Sequence, residues 1–139
     1  MKTTSNGFHF VFPAIRGVQA GREYFVAMCP LHLIPKIFLY DEESAALPAD
    51  FRAQRTLNSA RIPEMAKYIL DYSKEYVFSS LTASVNGQIS FETLGPGTEE
   101  NVGRIRIPMT AQFILNDGQH RRAAIEEALK HSGSLANET

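Results

Sequence analysis

A single cysteine, Cys29, stands in 139 residues. No disulfide can form within the chain, and a cysteine-rich metal site is excluded. An excess of charge of one sign is also lacking. Fourteen Lys and Arg against 15 Asp and Glu give a formal net charge of −1, unlike the strongly basic balance of a protein that coats nucleic acid. Long apolar runs are missing: stretches such as Tyr24–Met28 are far too short to cross a bilayer. The N-terminus carries one Lys and no hydrophobic signal core, so nothing marks it for export. His9, His32, His120 and His131 are scattered without metal-ligand spacing, and no Ser-His-Asp set or carboxylate pair stands out. These absences predict a soluble, cytoplasmic chain with no membrane, metal or cofactor and no assigned catalytic residue.

What remains has the makings of a core: 44% of residues are apolar, too many for a disordered tail, and the length suits one ordinary domain. Phe8, Phe10 and Phe12 alternate with His9 and Val11, the period of a strand whose phenylalanines face the core. A turn over 17–21 and a returning strand over 22–28 complete an N-terminal hairpin. Residues 30–40 predict a short broken helix, and 41–50 an acidic loop. A helix begins after Asn58 and Ser59, with Pro63 in its first turn, Glu64 on the helix dipole, and Met65, Tyr68, Ile69 and Tyr72 as its apolar stripe. Residues 76–85 read as a strand, turned by Asn86-Gly87 into a hairpin with 88–92. Arg104-Ile105-Arg106-Ile107 alternates as an exposed or edge strand, Ala111–Leu115 is a more buried one, and a last helix spans about 119–131. The tail, 132–139, shows no packing signal. Hairpins and helices in no regular βαβ order predict an α+β, mixed α/β fold in one domain over 1–139. Because the chain ends just after its most chemically loaded element, the expectation is the N-terminal part of a longer protein.

That element is Phe113-Ile114-Leu115-Asn116-Asp117-Gly118-Gln119-His120-Arg121-Arg122-Ala123-Ala124-Ile125. A buried strand runs straight into a helix, with Asp117 as the expected structural cap and Gly118 allowing a sharp bend and close approach of a ligand. The first helical turn has N–H groups without intrahelical partners and a positive dipole end. Placing His120, Arg121 and Arg122 there is unfavourable by about 0.3–1 kcal/mol each, unless an anion binds and reverses the sign. The predicted phosphate-binding set is Gly118, Gln119, His120, Arg121 and Arg122. Helical geometry puts Arg121 one turn before Ile125, facing the ligand, and sets Arg122 to the side, within reach of Glu126 as an ion pair or of the anion.

The string is similar to the motif that names the DGQHR-domain family of DndB-like DNA sulfur-modification proteins. A looser likeness runs through Gln54–Asn58, Arg61–Ile69 and Phe78–Val85, so the resemblance covers most of the chain in order. More remotely, the turn resembles the Gly-x-Arg-Arg phosphate box of the ParB and sulfiredoxin superfamily, also set between a strand and an Ala-rich helix. The resemblance implies a ParB-like domain and a bacterial protein tied to phosphorothioate modification, in which sulfur replaces a non-bridging oxygen of the DNA backbone. It further implies a DNA-binding transcriptional regulator of the modification genes. The implied partners are double-stranded promoter DNA and other DNA sulfur-modification proteins, with a second copy of the chain as a further partner. An alternative is a nucleotide-binding or nucleotide-hydrolysing enzyme; that chemistry needs a metal and a water-positioning acid, and only Asp117 and Glu126 are near. A third reading is a pure protein-interaction module, which would leave the arginines without a ligand.

Two further features are set against plainer explanations. Arg52 and Arg55, with Arg61 close behind, fall within ten residues and form either a second phosphate-contacting patch or a solvated face. Cys29, between Met28 and Pro30 at a strand end, is either a small buried hydrophobe or a thiol linked to redox or DNA binding.

Overall fold

In a computed structural model of the chain, residues 7–39 and 59–139 are described. They divide into two compact units, one built from residues up to Cys29 with Asn86–Gln112, the other from Pro30–Val85 with Phe113–Thr139. Helices and sheets coexist without βαβ alternation, as the α+β expectation required. The segments carrying Arg52 and Arg55 lie outside the described residues, as do the likeness over Gln54–Asn58 and the loop expected over 41–50.

The first unit is a four-stranded sheet. β1 (His9–Gln19) and β2 (Arg22–Ala27) form the expected hairpin, with Ile15 opposite Val26 and Gly17 opposite Tyr24. Its turn is tighter than the sequence suggests: Ala20 and Gly21 both take positive φ, so the strand continues through Gln19. β6 (Val102–Pro108) lies between β1 and β5 (Ser90–Thr93) in the order β2-β1-β6-β5. The edge position expected for Arg104–Ile107 is therefore corrected: alternation there reports a two-faced interior strand, whose Ile105 and Ile107 are buried. The same face takes Phe12 and Ala14. Phe10 stacks on Phe12 with ring centroids 6.1 Å apart, but Phe8 precedes the strand and is 80% exposed. The three-phenylalanine core stripe is thus shortened at its N-terminal end.

In the second unit, residues Leu31–Leu33 form a 3-10 turn leading into α1 (Ile34–Ile37), the expected short broken helix. β3 (Phe38–Leu39) follows, too short to register as a period. α2 (Ile62–Asp71) starts after a 3-10 turn at Ser59–Arg61, with Pro in its first positions and Glu64 in its first turn. Ala66 and Ile69 are buried, while Tyr68 and Tyr72 remain exposed. β4 (Thr82–Asn86), β7 (Gln112–Asp117) and β3 form a three-stranded sheet in the order β3-β7-β4, with β7 parallel to β3. The strand expected over 76–85 begins only at Thr82.

The hairpin expected at Asn86-Gly87 does not form. β4 belongs to one sheet and β5 to the other, so the chain passes here from one unit to the other. A Cβ at Gly87 would stand 2.6 Å from the Ala111 Cβ, which gives this glycine a packing reason in place of a turn. α3 (Gln119–Leu129) then packs on α1 and α2 and buries Ala124, Ile125 and Ala128. The tail also corrects its expectation. A 3-10 turn at Gly133–Asn137 buries Leu135, the Leu31 N–H donates to the Glu138 carbonyl at 2.7 Å, and the Tyr76 hydroxyl donates to the Glu138 carboxylate.

Candidate anion-binding site

β7 is the middle strand of its sheet, flanked on both sides, and alternates Phe113 and Leu115 into the core. Its last residue is Asp117; the next, Gly118, is the N-cap of α3 at φ 104°, ψ 18°. Asp117 is therefore not the cap, as the sequence suggested. The left-handed conformation strongly favours glycine at this point, and no side chain caps the helix. Space demands it as well, since a Cβ there would lie 2.9 Å from Leu81 Cγ and 3.2 Å from an Arg121 guanidinium nitrogen. Gly118 accepts the first helical bond from the Arg122 N–H at 2.8 Å. β7 is further tied to β4 by Asn116 Nδ2 donating to Ser84 Oγ at 2.8 Å.

The two arginines separate, in a way that helical spacing anticipated only in part. Arg121 Nη2 donates to the Ser80 carbonyl at 3.1 Å and stands 3.5 Å from Asp117 Oδ2, while its buried Nε has no acceptor. The Asp117 carboxylate is largely in solvent, so this pair is weak and exchangeable. Arg122 is the more enclosed of the two. Its Nε donates to the Phe38 carbonyl, its Nη2 to the Pro35 carbonyl at 2.8 Å, and its Nη1 lies 3.5 Å from Glu126 Oε1. The guanidinium thus ties α1 and the start of β3 to α3, and the Glu126 pair forms as the spacing allowed.

His120 lies in the same first turn, and its pKa is held below the ordinary 6.5, first by burial and then by the charges of Arg61 and Arg121. Arg61, the residue preceding α2, therefore belongs electrostatically to the α3 start. The sequence grouped it instead with Arg52 and Arg55, because nothing local reveals that α2 and α3 begin near one another. No acidic residue occupies the first turn of α3. Gln119 is half-buried at its N1 position. Cys29 stands at the end of the first unit's first segment, just beyond β2, where burial pushes its thiol up to about 11.

Comparison with known proteins decides the family. A family model described as DndB, DNA-sulfur modification-associated, matches residues 12–139. The chain belongs to the DndB family. Residues 113–125, which carried the resemblance, the whole second unit and the first unit from Phe12 onward fall within the match, so membership links this DndB-family chain to DNA sulfur modification. No curated protein and no solved structure matches the chain. Among the described residues, no helix is long and apolar enough to cross a membrane.

Proposed function

We propose that this DndB-family chain is a DNA-binding regulator of the genes for DNA sulfur modification, gripping the phosphate backbone at the start of α3. The observation that carries this reading is the concentration of positive charge at one helix start. His120 feels both Arg61 and Arg121, and the first turn contains no acid to offset them. An isolated helix would not tolerate that arrangement without cost. A phosphate oxygen would engage the amides after Gly118 and take the place of the weakly held Asp117 carboxylate beside Arg121. Arg121, His120 and Arg61 are the proposed phosphate contacts, with Gly118 and Gln119 supplying backbone. Arg122 has its guanidinium engaged within the protein and is assigned to the framework. Arg52 and Arg55 are proposed as auxiliary phosphate contacts on sequence grounds, and other sulfur-modification proteins as further partners.

The test is fluorescence anisotropy with a labelled duplex from the promoter of the modification genes, with a labelled nucleoside triphosphate measured in parallel. Binding of the duplex that Arg121→Ala weakens at least tenfold supports the reading. Nucleotide binding without duplex binding would replace it with the enzyme alternative.

A further inference from the structure

Along α2, Arg61 at the N-cap, Met65, Tyr68 and Tyr72 at the C-cap follow one another at helical spacing and share one face. Tyr68 is 37% exposed and Tyr72 52%. Their ring centroids lie 5.7 Å apart, and Phe78 stacks on Tyr68 at 6.2 Å with the ring planes 15° from parallel. The cluster is held in place from behind. The Val77 N–H donates to the Tyr68 hydroxyl at 2.9 Å, and Tyr76, its own hydroxyl engaged by Glu138, packs edge to face with Phe78. Two tyrosine rings are thus fixed, side by side, at the surface.

Two connections join these rings to the start of α3. Phe78 stands two residues before Ser80, whose carbonyl accepts from Arg121 Nη2 at 3.1 Å, so the backbone between them spans at most about 7 Å. From the other side, Arg61 begins the face of α2 that carries the tyrosines, and its charge acts on His120. Cations therefore stand at one end of a strip and aromatic rings at the other. A nucleotide strand has the matching order, an anionic phosphate and, a short span away, a flat base. In a closed duplex the bases stack on one another, whereas an unpaired base offers its face to an aromatic side chain. A protein partner would use the rings but has no need of the cations beside them. We infer that the proposed phosphate site continues into a base-stacking site, so that the chain takes an unpaired nucleotide, with phosphate at the start of α3 and a base on Tyr72 beside Tyr68. The inference rests on the phosphate reading of that helix start.

Two labelled single strands of one length, one natural and one abasic throughout, separate the two ideas by anisotropy: both carry phosphates, and only one carries bases. The natural strand should bind the wild-type chain at least fivefold more tightly. Unlabelled, it should also quench tyrosine emission, which is visible because the chain has no tryptophan. Tyr72→Ala should bring the natural strand close to the abasic one, and Tyr72→Phe, which keeps the ring, should preserve the difference. Equal affinity of the wild-type chain for the two strands, as expected if the rings instead serve an apolar peptide, would overturn the inference and leave the phosphate grip standing. So would a difference that survives Tyr72→Ala. Failure of both strands and of the duplex to bind would remove the grip itself, and the stacking site with it.

Discussion

At the scale of single residues, the two adjacent arginines of α3 are expected to behave oppositely. Arg121→Ala should weaken phosphate or duplex binding at least tenfold, while leaving the melting temperature nearly unchanged, because its partners are one carbonyl and a weak surface pair. Arg122→Ala should do the reverse. It removes the bonds to the Phe38 and Pro35 carbonyls and should cost about 1–3 kcal/mol, read by chemical denaturation. Equal effects of the two variants on binding would contradict the assignment. Asp117→Asn should tighten anion binding, since the competing carboxylate is gone while the geometry stays.

His120 adds a pH dependence whose sign follows from its lowered pKa. The unfolded chain takes up the proton near 6.5, but the folded chain does so only at lower pH. The unfolded state thus binds more protons in that window, and stability falls as pH drops below about 6.5, levelling off once the folded-state pKa is passed. His120→Gln should flatten that fall in a pH series of thermal melts. Bound phosphate should oppose it, because an anion favours the protonated ring. Cys29 carries the opposite lesson. With its thiol raised to about 11 it is protonated at neutral pH, and a thiol reagent should label the native protein far more slowly than the denatured one. Rapid native labelling would reopen a redox role.

At the scale of elements, Gly118 is the position where sequence and structure agree most closely on a requirement. Gly118→Ala forces a side chain into φ 104° and against Leu81, and should cost about 1–3 kcal/mol by chemical denaturation. Much of the element pattern was legible: the first hairpin, the proline-started α2, the buried β7 and α3 all follow from period and capping chemistry. Three features escaped for identifiable reasons. Asn86-Gly87 has turn chemistry, yet the strands on either side find different partners, and local signals carry no information about pairing. Arg104 and Arg106 alternate with isoleucines equally well at an edge or in the middle of a sheet. The tail holds one leucine and one glutamate that matter, Leu135 and Glu138, too few to make a period. Of the site, the turn itself was legible, whereas the approach of Arg61 to His120 depends on how α2 and α3 pack.

For the molecule as a whole, a net charge of −1 means that any grip on DNA must come from few contacts. Duplex affinity should fall with salt at a log–log slope of about 0.9 per phosphate contacted, so three or so contacts give a slope near 3. Replacing Arg52 and Arg55 together should lower that slope if they touch phosphate, and leave it unchanged if they only face solvent.

The passage of the chain between units has a further consequence, for the order of events during synthesis. The first unit is complete once Gln112 has emerged, whereas the second waits for Phe113–Thr139, which includes the middle strand of its sheet and the whole of α3. At about 5–20 residues per second, those last residues trail the rest by a second or more. A nascent chain stalled after residue 112 and cleared of the exit tunnel should already protect the β1–β2–β6–β5 sheet from protease while residues 59–85 remain cleavable. The proposed phosphate grip then forms later than the sheet, and a ribosome that stops after residue 112 releases a folded sheet without the start of α3.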